Sequence, residues 1–486
     1  MIDPVRAFDA TGDVLIQGER VMQISATPIA TSGARVIDAD GCIVCPGLID
    51  PHVHLREPGG ERKETIRTGA ESAIAGGFSM VACMPNTQPA LDLPSLVDFV
   101  RLKAGEAKLA RVRVVGAATV GRAGERLAPM GAMTKAGAVA FSDDGDGIAS
   151  AAMMRRVLET CRSIDRPFFQ HCQEPTLTHD AVMNEGPLAA KLGLGGWPAV
   201  AEELMFERDV RLNASIGCRY HAQHLSSAGS VDILRRARAA GQPVSGEASP
   251  HHLLLTDAAC EGWNTIAKVN PPLRTADDAR ALRDAVVDGT ISVLATDHAP
   301  HTASEKGRDF ASAPFGCIGL ESAVGMYGLA LVKSGAMQWP AVIERMTVGP
   351  ARLLGLLEQG FGRLFEGGPA DVSVIDPRAE WKIDASTFRS RSRNCPFDGW
   401  TAHGRPVAVV AEGRAFDLRT GEVRWQDDLP GSAHATPMSY VGKDGRQYVV
   451  VTVPNPSWRY PRSGSDTPVD GEGGWVIAYA LPKAAP

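Results

Sequence analysis

No apolar run in this 486-residue sequence approaches the roughly 18 residues that a membrane-spanning helix needs. The opening MIDPVRAFDATGD lacks the basic start and apolar centre of a secretory signal. Basic charge is not in excess: 50 Lys and Arg stand against 56 Asp and Glu, a formal net charge of −6. No positive field therefore draws nucleic acid or an anionic membrane surface. Cysteine is sparse, with nine residues, an odd number, scattered along the chain. That points to a reducing, cytoplasmic compartment rather than a disulfide framework. The one close pair, Cys42 and Cys45 in CIVC, has no second pair to complete a zinc site and reads as two apolar strand residues. What remains, 44% hydrophobic and 22% charged, is the composition of a folded globular protein.

From about Ile43 to Gly335 the pattern alternates. Short apolar, β-branched runs (GLIDPHVH, FSMVACMP, RVRVVGAATV, AVAFSDD, PFFQHC, RYHAQHL, PVSGEASPHH, ISVLATDHAP) are separated by longer stretches such as TIRTGAESAIAGG and SAAMMRRVLETCRSI. Near-continuous apolar strands alternating with amphipathic helices predict a parallel sheet with helices outside. Gly76, Gly77 and Gly241 stand where helix C-caps belong. Eight such strands close a (β/α)₈ barrel of the TIM type, here over residues 47–361. The flanks, 1–46 and 362–418, hold short strands with Gly-containing turns and predict one small β-domain built from both ends. Met1 opens directly on IDP, where such a domain would carry a preceding strand; without it an edge is left unpaired. Residues 419–486 form a Gly/Pro/Ser-rich extension with two strand-like runs, QYVVVTV and WVIAYAL, and no acid/base constellation.

Ten of the twelve histidines lie between positions 52 and 301, most of them closing an apolar run. His52 and His54 form an H-x-H at the end of the first run, and residues two apart on a strand share a face. Asp143 and Asp144 end the fourth run, His171 the fifth, His221 and His224 the sixth, Asp297 and His298 the eighth. Strand C-termini are where barrel enzymes keep their active sites, and independent strands delivering His or Asp to one rim predict a metal centre. Imidazole and carboxylate donors without thiolate suit zinc, with Mn²⁺, Co²⁺ or Fe²⁺ as alternatives. The donors are too many for one tetrahedral ion. Two ions about 3.5–4 Å apart, bridged by a carboxylate and a hydroxide, would use them all. Such a centre predicts hydrolysis, or its reverse, at an amide-like carbonyl.

The segments PGLIDPHVHLREPG, ACMPNTQPALD, AFSDDG, HCQE, ASPHHLLLTD, VNPPLR and ATDHAPH, in this order, resemble those of a dihydroorotase of the amidohydrolase superfamily over about residues 1–418. The resemblance implies reversible cyclisation of N-carbamoyl-L-aspartate to L-dihydroorotate, with loss of water, in pyrimidine biosynthesis. It puts one metal on His52, His54 and Asp297 and the other on His171 and His224. In one bacterial branch of the family an Asp at the end of strand four bridges them. That position falls on Asp144, with Asp143, pointing to the opposite face, as the alternative. Other members place a carboxylated Lys there, and AVAFSDDG contains none. Asp297 would also carry the catalytic proton.

A planar guanidinium grips a carboxylate with two hydrogen bonds. Arg56 follows the H-x-H by two residues on the same face of the chain, and the family pattern assigns it and Asn86 to the substrate carboxylate. His54, Asn270, His301 and the backbone at Phe315 and Gly316 match further substrate contacts. His251 and His252 read as strand-seven residues that are either structural or support the site from behind its ligands, and His179, His403 and His434 as solvated. The tail resembles the final blade region of a pyrroloquinoline-quinone-dependent dehydrogenase propeller. Some 65 residues supply at most two of the roughly four to eight blades a propeller needs, so no quinone site is expected. Partners implied are a small-molecule substrate, and a second copy of the chain or aspartate transcarbamoylase. Rival readings are a hydantoinase- or allantoinase-like enzyme and a non-catalytic partner of aspartate transcarbamoylase. The filled ligand positions speak against the latter.

Overall fold

Eight parallel strands organise the chain: β1 (Leu48–Val53), β2 (Phe78–Cys83), β3 (Arg111–Ala117), β4 (Ala138–Ser142), β5 (Phe168–Gln170), β6 (Tyr220–Ala222), β7 (Val244–Ala248) and β8 (Val293–Leu294). The computed structural model describes residues 1–30, 36–418, 438–441, 447–453 and 475–480. The strands are neighbours in sequence order from β1 to β8. The ring is joined between its first and last members: Val53 bridges His298, and the His54 N–H donates to the His298 carbonyl at 2.8 Å. This is the (β/α)₈ barrel that the alternation predicts.

Every residue of β1 and β2 is buried. Strands covered on both faces need apolar residues at consecutive positions, which is why these runs do not alternate. Between them run α1 (Ile66–Ala75), α2 (Pro94–Ala107), α3 (Met130–Ala136), α4 (Ala151–Ser163), α5 (Val200–Asn213), α6 (Ala228–Ala239) and α7 (Ala276–Val287). In α4 the buried residues Met153, Met154, Val157, Leu158 and Cys161 form one stripe at helical spacing, and the Ser150 side chain caps the helix by accepting from the Met153 N–H. Ile49, Met80, Val115, Ala140, Phe169 and Val293, from six different strands, pack together. The barrel is therefore a filled core, and polar groups collect at its rim.

A second, antiparallel sheet takes strands from both flanks, in the spatial order Arg414–Asp417, Thr401–Ala411, Val372–Lys382, Ile43–Pro46. Cys45 is buried in the last of these. A hairpin, Asp13–Gln17 with Arg20–Ser25, meets the chain again where Arg20 bridges Pro369. Ile2–Asp3 pairs with Phe8–Asp9. The unit Glu422–Pro486, taken by itself, contains an antiparallel meander of Met438–Val441, Gln447–Val453 and Trp475–Ala480. Among the described residues no helix is long and apolar enough to cross a membrane.

Candidate metal centre

The candidate ligands gather where the strands end. His52 lies in β1 and His54 just beyond it; Asp144, His171, His224 and Asp297 follow the ends of β4, β5, β6 and β8. None is more than 6% exposed. Asp144 stands among the histidines. Its Oδ1 is 3.5 Å from His52 Nε2, 3.7 Å from His171 Nδ1 and 3.8 Å from His224 Nε2, and its Oδ2 is 3.5 Å from His54 Nε2. Asp297 Oδ1 lies 3.0 Å from His54 Nε2 and 3.5 Å from His52 Nε2. His171 Nδ1 and His224 Nε2 face each other at 2.8 Å. Two groups are tight enough to hold an ion, His52–Asp144–His224 and His52–His54–Asp297. Asp143 turns away: it accepts from the N–H groups of Ala118 and Thr119 at 2.9 and 3.0 Å and from the Thr119 hydroxyl. Burial pushes its carboxyl up to about 6.

Three histidines have their second ring nitrogen tied to an oxygen. His52 Nδ1 meets Glu247 Oε1 at 2.5 Å, His54 Nδ1 meets Asn86 Oδ1 at 2.8 Å, and His171 Nε2 meets Gln173 Oε1 at 3.0 Å. An oxygen acceptor holds a proton on the nitrogen it faces, so the other nitrogen, toward Asp144, is the one free to give up its proton and bind a cation. Asp144 Oδ1 itself is buried with no hydrogen-bond donor. A buried carboxylate oxygen without a donor is costly unless a cation compensates it. The donor set of imidazole and carboxylate fits divalent zinc or a neighbouring first-row ion. Burial alone would raise both carboxyl groups. The charge of His52 for Asp144, and the hydrogen bond from His54 for Asp297, hold them below the usual range. Arg56, His224 and Asp297 adopt left-handed backbone conformations, with φ of 62°, 28° and 48°. Such strain, on the order of 1–3 kcal/mol per residue, concentrates at functional sites.

The substrate-side residues divide between two places. Arg56 donates from Nε to the Pro300 carbonyl at 3.2 Å, and its Nη2 lies 3.3 Å from His301 Nε2. Arg56 and Asn86 line one cavity of about 540 Å³, together with Lys63 and Arg122. Burial, with Arg56 adding to it, pushes the His301 imidazole down to about 2, so the ring is neutral. Gly316 has a φ of 124°, and a Cβ there would stand 2.7 Å from Ala299 Cβ and 3.3 Å from His301 Nε2, so this wall accepts only glycine. Phe315 meets Trp197 edge-on and lies 4.5 Å from Lys268 Nζ. Asn270 sits on the other side, donating to Gln173 Oε1 at 3.2 Å, with its own Oδ1 buried and unpartnered. Asn86 also donates to Asp144 Oδ2 at 3.5 Å, so it touches the metal cluster as well as the cavity.

Several polar residues take structural positions. His298 faces Glu64 at 3.3 Å, and His251 and His252 share the Ser249 hydroxyl at 2.9 and 2.7 Å. His179 is exposed. His403, expected in solvent, is half-buried and stacked on Trp339, because it sits in a strand covered by that indole. His434 lies outside the described residues.

Sequence reasoning missed Glu247, one residue before the end of β7. Its Oε1 holds His52 and accepts the His224 N–H at 3.1 Å, while Oε2 is 2.9 Å from His221 Nε2. One carboxylate thus steadies a residue from each half of the cluster. The only sequence signal is a single charge inside the apolar run PVSGEAS. Loss of such an outer partner costs about 10–100-fold in metal affinity. Glu247→Gln, which keeps the shape and loses the charge, is expected to weaken metal binding by that factor in a chelator-competition titration. Unchanged affinity would remove Glu247 from the site.

A family model described as "Dihydro-orotase-like" matches residues 41–230. A second, described as the β-propeller domain of glucose/ethanol/alcohol dehydrogenases, matches residues 411–449. The dihydroorotase of Syntrophotalea carbinolica is 46% identical over 85% of this chain and 96% of that protein. The dihydroorotase of Streptomyces coelicolor is 44% identical over 83% of this chain and 94% of that protein. Among solved structures, the L-hydantoinase (dihydropyrimidinase) of Arthrobacter aurescens superposes with a TM-score of 0.74 at 26% identity, over 83% of this chain and 92% of that one. The dihydropyrimidinase of Brevibacillus agri, at 23% identity and a TM-score of 0.73 over 85% and 92% of the two chains, shares the fold. By its identity to curated relatives along most of its length, the chain belongs to the dihydroorotase family.

Proposed function

We propose that the protein acts as a dihydroorotase, closing N-carbamoyl-L-aspartate to L-dihydroorotate with loss of water and running the hydrolysis in reverse, in de novo pyrimidine biosynthesis. The observation that carries the reading is the donorless Asp144 Oδ1, faced by His52 and His171, whose other nitrogens are anchored. Two divalent ions, zinc by donor chemistry, would be held by His52, His54 and Asp297 and by His171 and His224, with Asp144 between them. Bound there, they would acidify a water and polarise the amide carbonyl. The chain's own groups do the rest. Arg56 binds the substrate carboxylate, with Asn86 and the neutral His301 beside it. Asn270 and the backbone at Phe315 and Gly316 fix the ring. Asp297 moves a proton between the attacking water and the departing ring nitrogen. On the same resemblance, a second copy or aspartate transcarbamoylase is the partner; with every ligand position filled, such an association would accompany catalysis rather than replace it.

A hydantoinase-like activity is the competing reading, since the solved neighbours bear that name. It differs in that its substrate ring carries no carboxylate for Arg56. The test is to count metal in the purified chain and assay dihydroorotate and hydantoin in the same sample. About two ions per chain are expected, lost together with activity on chelation, and dihydroorotate should be much the better substrate. A charge-assisted hydrogen bond contributes about 1.5–3 kcal/mol, so Arg56→Ala should lower kcat/KM for dihydroorotate about 10–150-fold and leave hydantoin nearly unaffected. A preference for hydantoin, or a silent Arg56→Ala, would overturn the assignment.

A further inference from the structure

Residues 389–394, RSRSRN, lie in the C-terminal flank between the strands Val372–Lys382 and Thr401–Ala411. Their burial alternates. Ser390, Ser392 and Asn394 are buried, while Arg389, Arg391 and Arg393 are exposed. This is the period of an extended chain lying with one side on a surface. The buried side is tied to the barrel rim. The Ser390 hydroxyl donates to Glu64 Oε2, the Arg391 N–H to Glu64 Oε1 at 3.1 Å, and the Ser392 hydroxyl to the Lys63 carbonyl at 2.8 Å.

Asn394 makes the most of this contact. Its Nδ2 donates to the carbonyls of Ala299 and Gly316, each at 3.1 Å, and its Oδ1 accepts the His301 N–H at 3.2 Å. Both amide protons and the amide oxygen are thus used on two loops. The loops also pair through the Ala299 N–H and the Cys317 carbonyl, at 2.8 Å. Beyond that pair, Asn394 is what joins the His301 backbone to Gly316.

We propose that Asn394 is a positioning residue that sets His301 against Phe315 and Gly316, and so shapes the wall that Arg56 shares with His301. The proposal rests on reading that wall as the substrate's. Asn394 touches none of the candidate metal ligands, so its effect is separable from theirs. Asn394→Ala removes all three hydrogen bonds. Asn394→Asp keeps the acceptor for the His301 N–H but turns an oxygen toward two carbonyl oxygens.

The test uses the full metal-loaded chain. In both variants KM for dihydroorotate should rise about 10–100-fold, the scale of a binding group displaced by about 1 Å, with kcat and metal content nearly unchanged. Hydrogen exchange at the His301 amide should accelerate in Asn394→Ala and stay closer to the parent in Asn394→Asp. An unchanged KM in folded variants, or a parallel loss of kcat and metal, would overturn the proposal. If Asn394→Ala does not fold, Asn394→Asp decides the kinetic arm. If the unmodified protein fails to hydrolyse dihydroorotate, the functional reading falls by itself. The clamp then stands or falls on whether exchange at His301 accelerates in Asn394→Ala.

Discussion

Asp144→Ala should release both metal ions, and with them essentially all activity, while Asp143→Ala releases neither. The two residues are adjacent in sequence and buried alike, yet they face opposite ways. Asp144 lies within 3.8 Å of four imidazoles, drawn from both halves of the cluster. Removing it would take a ligand from each ion and leave the two cations to repel each other without the negative charge between them. Loss of an outer partner costs about 10–100-fold in metal affinity, and a direct ligand shared by two ions must exceed that for each. Metal ions contribute several kcal/mol to such reactions, so turnover should fall on the order of 10³-fold or more. Asp143→Ala instead breaks the three hydrogen bonds to Ala118 and Thr119. Its expected cost is in stability, about 1–3 kcal/mol for groups left unpaired in the interior, with metal content unchanged. Metal analysis after gel filtration, alongside thermal unfolding, reads both. If Asp144→Ala kept two ions, the bridging role would be wrong. If Asp143→Ala lost them, the two assignments would be exchanged.

That pair also shows what the sequence could convey. Period-two alternation separates Asp143 from Asp144, but both lie beyond the end of β4 at Ser142, where the pleat no longer says which faces inward. The barrel was legible because strands buried on both faces must be apolar at consecutive positions, and a His or Asp closing such a run stands out. Arg56 shows the limit of the same logic. Counting two residues on puts it on the H-x-H face, but β1 ends at Val53 and Arg56 has a φ of 62°. It reaches the cavity through a turn, not through strand alternation. Glu247 gave only a faint local signal and Asn394 none. One is a lone charge within a strand, and the other comes from a segment of the opposite flank. Their partners, His52 for the first and His301 and Gly316 for the second, are fixed only by tertiary contact.

Asp297→Asn should retain metal and lose turnover. The substitution keeps an oxygen at the position 3.0 Å from His54 Nε2, so the cluster can still form. What it removes is the ability to take a proton at one step and return it at the next. The surroundings suit that task. Two divalent cations beside the Asp297 carboxylate would hold its pKa low despite burial. A carboxyl held low is a weak base, and its conjugate acid is correspondingly strong, which favours protonation of a departing amide nitrogen. General acid–base catalysis contributes about 10²–10⁴-fold, and kcat should fall by at least that factor. KM should change little, because the carboxylate contacts at Arg56 are untouched, so kcat and kcat/KM fall together. The reaction is reversible, and no substitution can alter its equilibrium. The loss in kcat/KM must therefore be equal for dihydroorotate hydrolysis and for cyclisation of N-carbamoyl-L-aspartate, which provides an internal check on the assay. A variant that kept two ions and turned over within about tenfold of the parent would fall below the range of acid–base catalysis and place the proton on another group.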